Sequence, residues 1–225
     1  MISIGKFSTE LNEIEATLKG LELLDDRNFS PAEILDVAEF RHANLIDNWK
    51  LLIRYNIYDI MLKDNSIFSF KINNVAKTLS YSFIECPFVC LSYKEFLSEQ
   101  GIEDHFSKTF IEEYNLYVEQ CEIKDSILYI RYDVDFNSYI NGLHPVSHLH
   151  IGHGNEIRIA INKILTPKAF FNFILRQHFT TYWKELLKAD PQHDWLKYHT
   201  KHKTELTIVE EKFFNNYDLN ELYLE

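Results

Sequence analysis

The stretch HPVSHLHIGHG, residues 144–154, holds four histidines in eleven positions, two of them spaced as His148-x-His150. Imidazole titrates near neutrality and ligates transition metals through a ring nitrogen, so this density points to acid/base work or to metal binding. Upstream, YIRYDVD at 129–135 offers Arg131 and Asp133; downstream, EIRIAIN at 156–162 offers Arg158. Guanidinium grips phosphate oxygens through a two-pronged fork, which adds an anion to the chemistry.

Three chemistries suit this set. His148 and His150 can act as general acid and base while Arg131 or Arg158 holds a phosphate, the requirement for metal-free phosphodiester cleavage. The two imidazoles can instead ligate a divalent ion (zinc, manganese or magnesium) with Asp133 or Asp135, for metal-assisted hydrolysis. In the third, nothing reacts and the polar residues recognise a partner protein or a phosphorylated ligand. Asp133 would orient a histidine or the metal. Tyr129, His144, Lys197 and Lys201 are the further candidates for substrate contact. His199 and His202 also have metal-ligand spacing on a helix, although a solvated basic face explains them as well. Against every functional reading stands a plain one: antiparallel sheets commonly leave one face wet, and a wet face is polar by default.

Positioning these residues falls to three segments of period two. In SILYIRYDVDF the residues Leu128, Ile130, Tyr132, Val134 and Phe136 alternate with Tyr129, Arg131, Asp133 and Asp135. SHLHI and EIRIAIN alternate in the same way, so three strands each have one apolar and one polar face. Gly152-His153-Gly154-Asn155 reads as the tight hairpin between the last two. If the three strands are neighbours with their apolar faces in one core, Tyr129, Arg131, Asp133, His148, His150 and Arg158 share the opposite surface.

Around these strands the pattern predicts an α+β protein. Leu11, Ile14, Leu18 and Leu21 form a helical stripe, Ser30 to Glu33 read as a capping box, and helix carries on to about Tyr55. IYDIMLKDNSIFSFKI reads as two strands about a turn at 63–65, LSYSFIECPF as a third, and a second capping box at Ser92 to Glu95 opens a short helix closed by Gly101. A further helix is predicted over about 107–120. Thr166-Pro167 starts a long aromatic helix, PKAFFNFILRQHFTTYWKELL, against the apolar side of the sheet, and HDWLKYHTKHK reads as a short basic helix. Residues 204–225 fit a strand with an acidic tail or a last helix. The expectation is one domain over 1–225, with helices at about 7–55, a mainly antiparallel sheet of about six strands over 57–162, and C-terminal helices with an acidic tail at 166–225.

Composition limits the partners. The 225 residues are 46% hydrophobic, with only 6 Gly and 5 Pro, enough for a sizeable core of long elements. No apolar leader opens the chain and no run approaches a membrane span, so a soluble cytoplasmic protein without a membrane partner is expected. Three cysteines, Cys86, Cys90 and Cys121, have no ligand spacing and read as small buried hydrophobes. The net charge of -11 counts against a polyanion, yet residues 141–203 hold 9 Lys/Arg against 4 Asp/Glu and eight of the ten histidines. That island suits a nucleic acid, a nucleotide or an acidic face of a partner protein. Walker, dinucleotide-binding, His-Glu-x-x-His and nucleophile-elbow motifs are absent, which removes the common phosphate cradles and serine hydrolases.

The blocks YIRYDVD at 129–135, HPVSHLHIG at 144–152, the Arg-bearing strand at 156–162 and TPKAFFNFIL at 166–175 resemble an uncharacterised group of bacterial proteins, a domain of unknown function. The resemblance covers about fifty residues and makes Arg131, Asp133, His148, His150 and Arg158 its signature positions, without roles. It implies stand-alone cytoplasmic proteins in the genomic setting of mobile elements, phage defence and toxin-like modules. A shorter similarity to small toxin-like proteins points to nucleic acid or nucleotides as substrate. The leading expectation is a phosphodiesterase or nuclease-type enzyme of a defence or toxin system. The alternative is a noncatalytic adaptor that docks a partner protein in such a complex through its basic, His-rich segment.

Overall fold

The structure is a computed structural model and describes residues 2–31, 40, 42–104, 109–154, 157–189, 203–220 and 223–224. Lys197, Lys201, His199, His202, residues 193–202 of the proposed basic helix and residues 32–33 of the Ser30 to Glu33 box lie outside them. Among the described residues are seven α-helices: α1 (Ile4–Gly20), α2 (Leu45–Arg54), α3 (Tyr93–Glu99), α4 (Ile111–Gln120), α5 (Pro167–Gln177), α6 (Thr180–Ala189) and α7 (Asn216–Asn220). The strands are β1 (Leu24–Arg27), β2 (Ile60–Leu62), β3 (Ile67–Asn73), β4 (Thr78–Ile84), β5 (Tyr129–Asp135), β6 (Ser147–Ile151), β7 (Ile157–Ile161), β8 (Lys163–Ile164), β9 (Thr207–Ile208) and β10 (Tyr223–Leu224).

The α+β class holds, but the main sheet has eight strands where about six were expected, in the order β1-β2-β3-β4-β5-β6-β7-β10. The two additions are β1 and β10, of four and two residues, too short for any period to register. The first 55 residues are therefore not helical throughout. Past α1, Glu22 takes a positive φ of 57°, and Leu24–Arg27 then pair antiparallel with β2 across a bulge. A second break lies at Asn44, whose side chain accepts from the Asp47 amide and caps α2 afresh. The single long aromatic helix is two, because helix stops at Gln177 and restarts at Thr180. Phe179, between the two helices, is half-buried.

The chain divides into two compact units, each discontinuous in sequence. One comprises residues 1–22, 69–82 and 130–225. Its core lies where α1 and α5 meet strand residues. Leu11, Ile14 and Leu18 are buried as the stripe predicts, while Leu21 is half-buried beyond the helix end. They join Phe170, Phe171 and Ile174 of α5 and the rings of Phe70, Tyr81 and Tyr132. Thr166 caps α5 with Pro167 at its first position, as the sequence implies. Glu10, buried on α1, accepts from the Lys168 amide at 2.9 Å, using one of the free donors at the start of α5. Behind the sheet, Ser147 donates to the Lys163 carbonyl, Tyr132 donates to Ser147, and the Leu165 amide donates to Tyr132, so this buried polar chain is closed.

The other unit comprises residues 23–68 and 83–129. Trp49 and Leu52 of α2, Phe96 and Leu97 of α3 and Tyr114 and Val118 of α4 close over Ile67, Ile84, Cys86 and Phe88. Asn65, in the turn after β2 with φ +61°, accepts from Tyr114 Oη and donates to the Leu91 carbonyl. The capping box at Ser92 and Glu95 is present, and Gly101 follows α3 with φ +72°. Cys86 is buried as expected, while Cys90 and Cys121 are half-buried.

Candidate functional site

Strands β5, β6 and β7 are antiparallel neighbours, and their register decides which side chains meet. Arg131 stands opposite His150, which stands opposite Arg158; Asp133 stands opposite His148, which stands opposite Ala160. Directly opposed residues lie about 4.5–5.5 Å apart at Cβ and share a face. The structure thus brings Arg131, Asp133, His148, His150 and Arg158 together on one side of β5 to β7, in two adjacent cross-strand rows. The hairpin that sets this register turns at Gly152, where φ is +89°, a backbone that a residue with Cβ rarely adopts.

This side is not a wet face at the histidines. His148 and His150 are each 1% exposed, against the solvated polar surface that an antiparallel sheet usually presents. Arg158 is exposed, Arg131 and Asp133 are half-buried, and the upper row therefore runs from open water at Arg158 to full burial at His150. The two buried rings lie edge to face, 4.7 Å between centroids, and His144 also meets His148 edge to face at 4.9 Å.

Asp133 is the hub. Arg131 Nε donates to its Oδ2 at 2.7 Å, Ser80 Oγ donates to its Oδ1 at 2.8 Å, and His150 Nε2 stands 3.4 Å from Oδ2. Burial alone would raise the carboxyl pKa, but the nearby His150 ring, the Arg131 charge and the Ser80 hydroxyl outweigh it and hold Asp133 at about 2. His148 moves oppositely. Burial, reinforced by repulsion from His150, pushes it down to about 4, so its ring is neutral at pH 7. Its Nδ1 lies 2.8 Å from the Pro145 carbonyl; a carbonyl only accepts, so Nδ1 carries the proton and Nε2 the lone pair. Burial lowers His144 too, with the charge of Arg158 adding to it. The Nδ1 atoms of His144 and His150 are buried and find no hydrogen-bond partner among the described residues.

Among the described residues, Asp133, His148 and His150 are also the group whose ligand atoms come within 4.8 Å of one another, so these three could hold a metal ion. Asp135 is otherwise engaged: it accepts from Ser138 Oγ at 2.6 Å and from the Asn137 amide at 2.8 Å, which closes the turn after β5. Tyr129 does not join the cluster. It is 7% exposed and packs in the core of the second unit. Sequence reasoning missed Ser80 and Pro145. Ser80 alternates with Leu79 and Tyr81 in LSYSFI, a polar-face signal that needed only the knowledge that β4 lies beside β5.

An α+β protein built on a mixed eight-stranded sheet, with two buried histidines beside a half-buried aspartate and two flanking arginines, is the class that fold and site define. The chain belongs to the uncharacterised conserved protein family DUF2290, whose model matches residues 31–217. No curated protein and no solved structure matches it.

Proposed function

We propose that the protein is a phosphodiesterase or nuclease-type hydrolase acting on nucleic acid or nucleotides, with its centre on the polar side of β5 to β7. The observation that carries this reading is the upper row, in which a buried histidine, His150, is paired across the strands with an arginine on each side. Arg158 meets an incoming phosphate at the exposed end, and Arg131, held by Asp133, prolongs the positive path inward. With its Nε2 lone pair bare, His148 serves as a base or a ligand and not as a proton donor at neutral pH. The acid role therefore falls to solvent or, in a metal-free centre, to His150. Resemblance of the blocks at 129–175 to proteins from phage-defence and toxin-like settings supports a role of the same kind.

Untagged protein is incubated with RNA, single- and double-stranded DNA, cyclic and linear nucleotides, each with and without Zn²⁺ or Mn²⁺. Turnover is expected, abolished in His150→Ala. In Arg158→Ala the expected fall in kcat/KM is about tenfold to a hundredfold, the worth of a charged hydrogen bond. No turnover under any condition would refute the reading.

A further inference from the structure

The geometry points to a resident metal: His148, His150 and Asp133 bind one divalent first-row transition ion of the zinc type. The ion occupies the centre on which the hydrolase reading rests, yet its presence is measurable without any substrate.

Four observations carry it. The separation of 3.4 Å between His150 Nε2 and Asp133 Oδ2 exceeds the usual 2.7–3.2 Å of an N–H to oxygen hydrogen bond. It equals the edge of a tetrahedron with metal bonds of about 2.1 Å, which is about 3.4 Å. His148 donates Nδ1–H to a backbone carbonyl, the arrangement that fixes the tautomer and aim of metal-bound histidines. Asp133 receives one hydrogen bond on each oxygen, from Ser80 and from Arg131, which leaves about half of its four acceptor positions open.

His150 supplies the fourth. A neutral imidazole has one lone pair; on Nδ1 it would be buried with no donor among the described residues, and on Nε2 it would face a carboxylate. A cation in the cluster resolves the second case by taking the Nε2 lone pair, with the proton carried on Nδ1. The Arg131 guanidinium, 2.7 Å from the carboxylate, shares its charge and so weakens it as a ligand for a hard cation. Affinity then rests on the two imidazoles, which favours zinc, cobalt or iron over magnesium.

Protein made without a histidine tag is assayed for bound metal, stripped, and titrated with Zn²⁺ and with Co²⁺ as a spectroscopic probe. About one equivalent of Zn²⁺ is expected, competed by Co²⁺ with visible d–d absorption, and little response to Mg²⁺. His148→Gln and His150→Gln each lose far more than tenfold in Zn²⁺ affinity; Ser80→Ala, which only loosens the carboxylate, loses about tenfold. A His199→Ala/His202→Ala variant retains binding. Wild type that takes up no equivalent of Zn²⁺ and gives no Co²⁺ spectrum overturns the inference whatever the variants do. So does unchanged affinity in folded His148→Gln or His150→Gln. An ion bound without turnover keeps the centre and defeats the hydrolase reading; turnover by protein that takes up no Zn²⁺ does the reverse.

Discussion

A single hydroxyl shows how the first unit handles polarity. Tyr81 is fully buried among Phe7, Phe70, Tyr132 and Phe170, and its Oη has no hydrogen-bond partner among the described residues. Burial also pushes its pKa far above the ordinary phenol value, as expected of a group with no route to ionise. An orphaned buried hydroxyl costs about 1–3 kcal/mol, so Tyr81→Phe is expected to raise the unfolding free energy by up to that amount. Denaturant titration checks it, and a destabilised variant would mean the hydroxyl has a partner. Tyr132 is the contrast: its hydroxyl is satisfied twice, by Ser147 and Leu165, and Tyr132→Phe is expected to cost about 1–3 kcal/mol, since the Leu165 amide and Ser147 each lose a partner.

At the scale of elements, two devices can be tested. Gly152 sets the β6–β7 hairpin with φ +89°, and Gly152→Ala places Cβ on a conformation that costs about 1–3 kcal/mol. Because His150 and Arg158 face one another only in this register, the variant should lose turnover on nucleic acid, or Zn²⁺ affinity, beyond its loss of stability. The capping box of α3 gives a pH signature. Hydrogen bonds from the Ser92 amide, then the Ser92 hydroxyl, lower the Glu95 pKa below the ordinary carboxyl value. A folded pKa below the unfolded one gives stability that is complete above about pH 5 and is lost as pH falls through the folded value. Wild type should therefore exceed Glu95→Gln by about 1 kcal/mol near neutrality, and the gap should shrink as pH falls through the folded pKa.

The same scale explains what could be read from sequence. Strands β5 to β7 were legible because five to seven residues of strict alternation fix both type and face. α1 and the start of α5 were legible from stripe and cap. β1 and β10 were not, since strands of four and two residues exist only by virtue of the partner that pairs with them. The sharing of one side by Arg131, Asp133, His148, His150 and Arg158 followed from parity. The burial of His148 and His150 did not follow, because alternation says which way a side chain points and nothing of what lies over it.

For the molecule as a whole, charge governs the approach of a substrate. At a net charge of -11, the long-range field repels a polyanion even where arginines await it. Salt screens that repulsion over a Debye length of about 10 Å at 0.1 M. On the hydrolase reading, kcat/KM for long RNA or DNA should rise with salt at low ionic strength, before short-range arginine contacts weaken. A basic nucleic-acid binder loses affinity at every step of added salt. A monotonic fall across the whole range would count against a substrate that is itself a long polyanion.

One pairing governs how the protein can be handled. β10 lies parallel to β7, with Tyr223 beside Ala160 and Leu224 beside Ile161, and the Leu224 carbonyl receives the Asn162 amide. Two residues thus cover the outer rim of the strand that bears Arg158. Trimming Tyr223 and Leu224 would leave unsatisfied amides and carbonyls as a template for another chain, so a shortened protein is expected to self-associate more readily than the intact one.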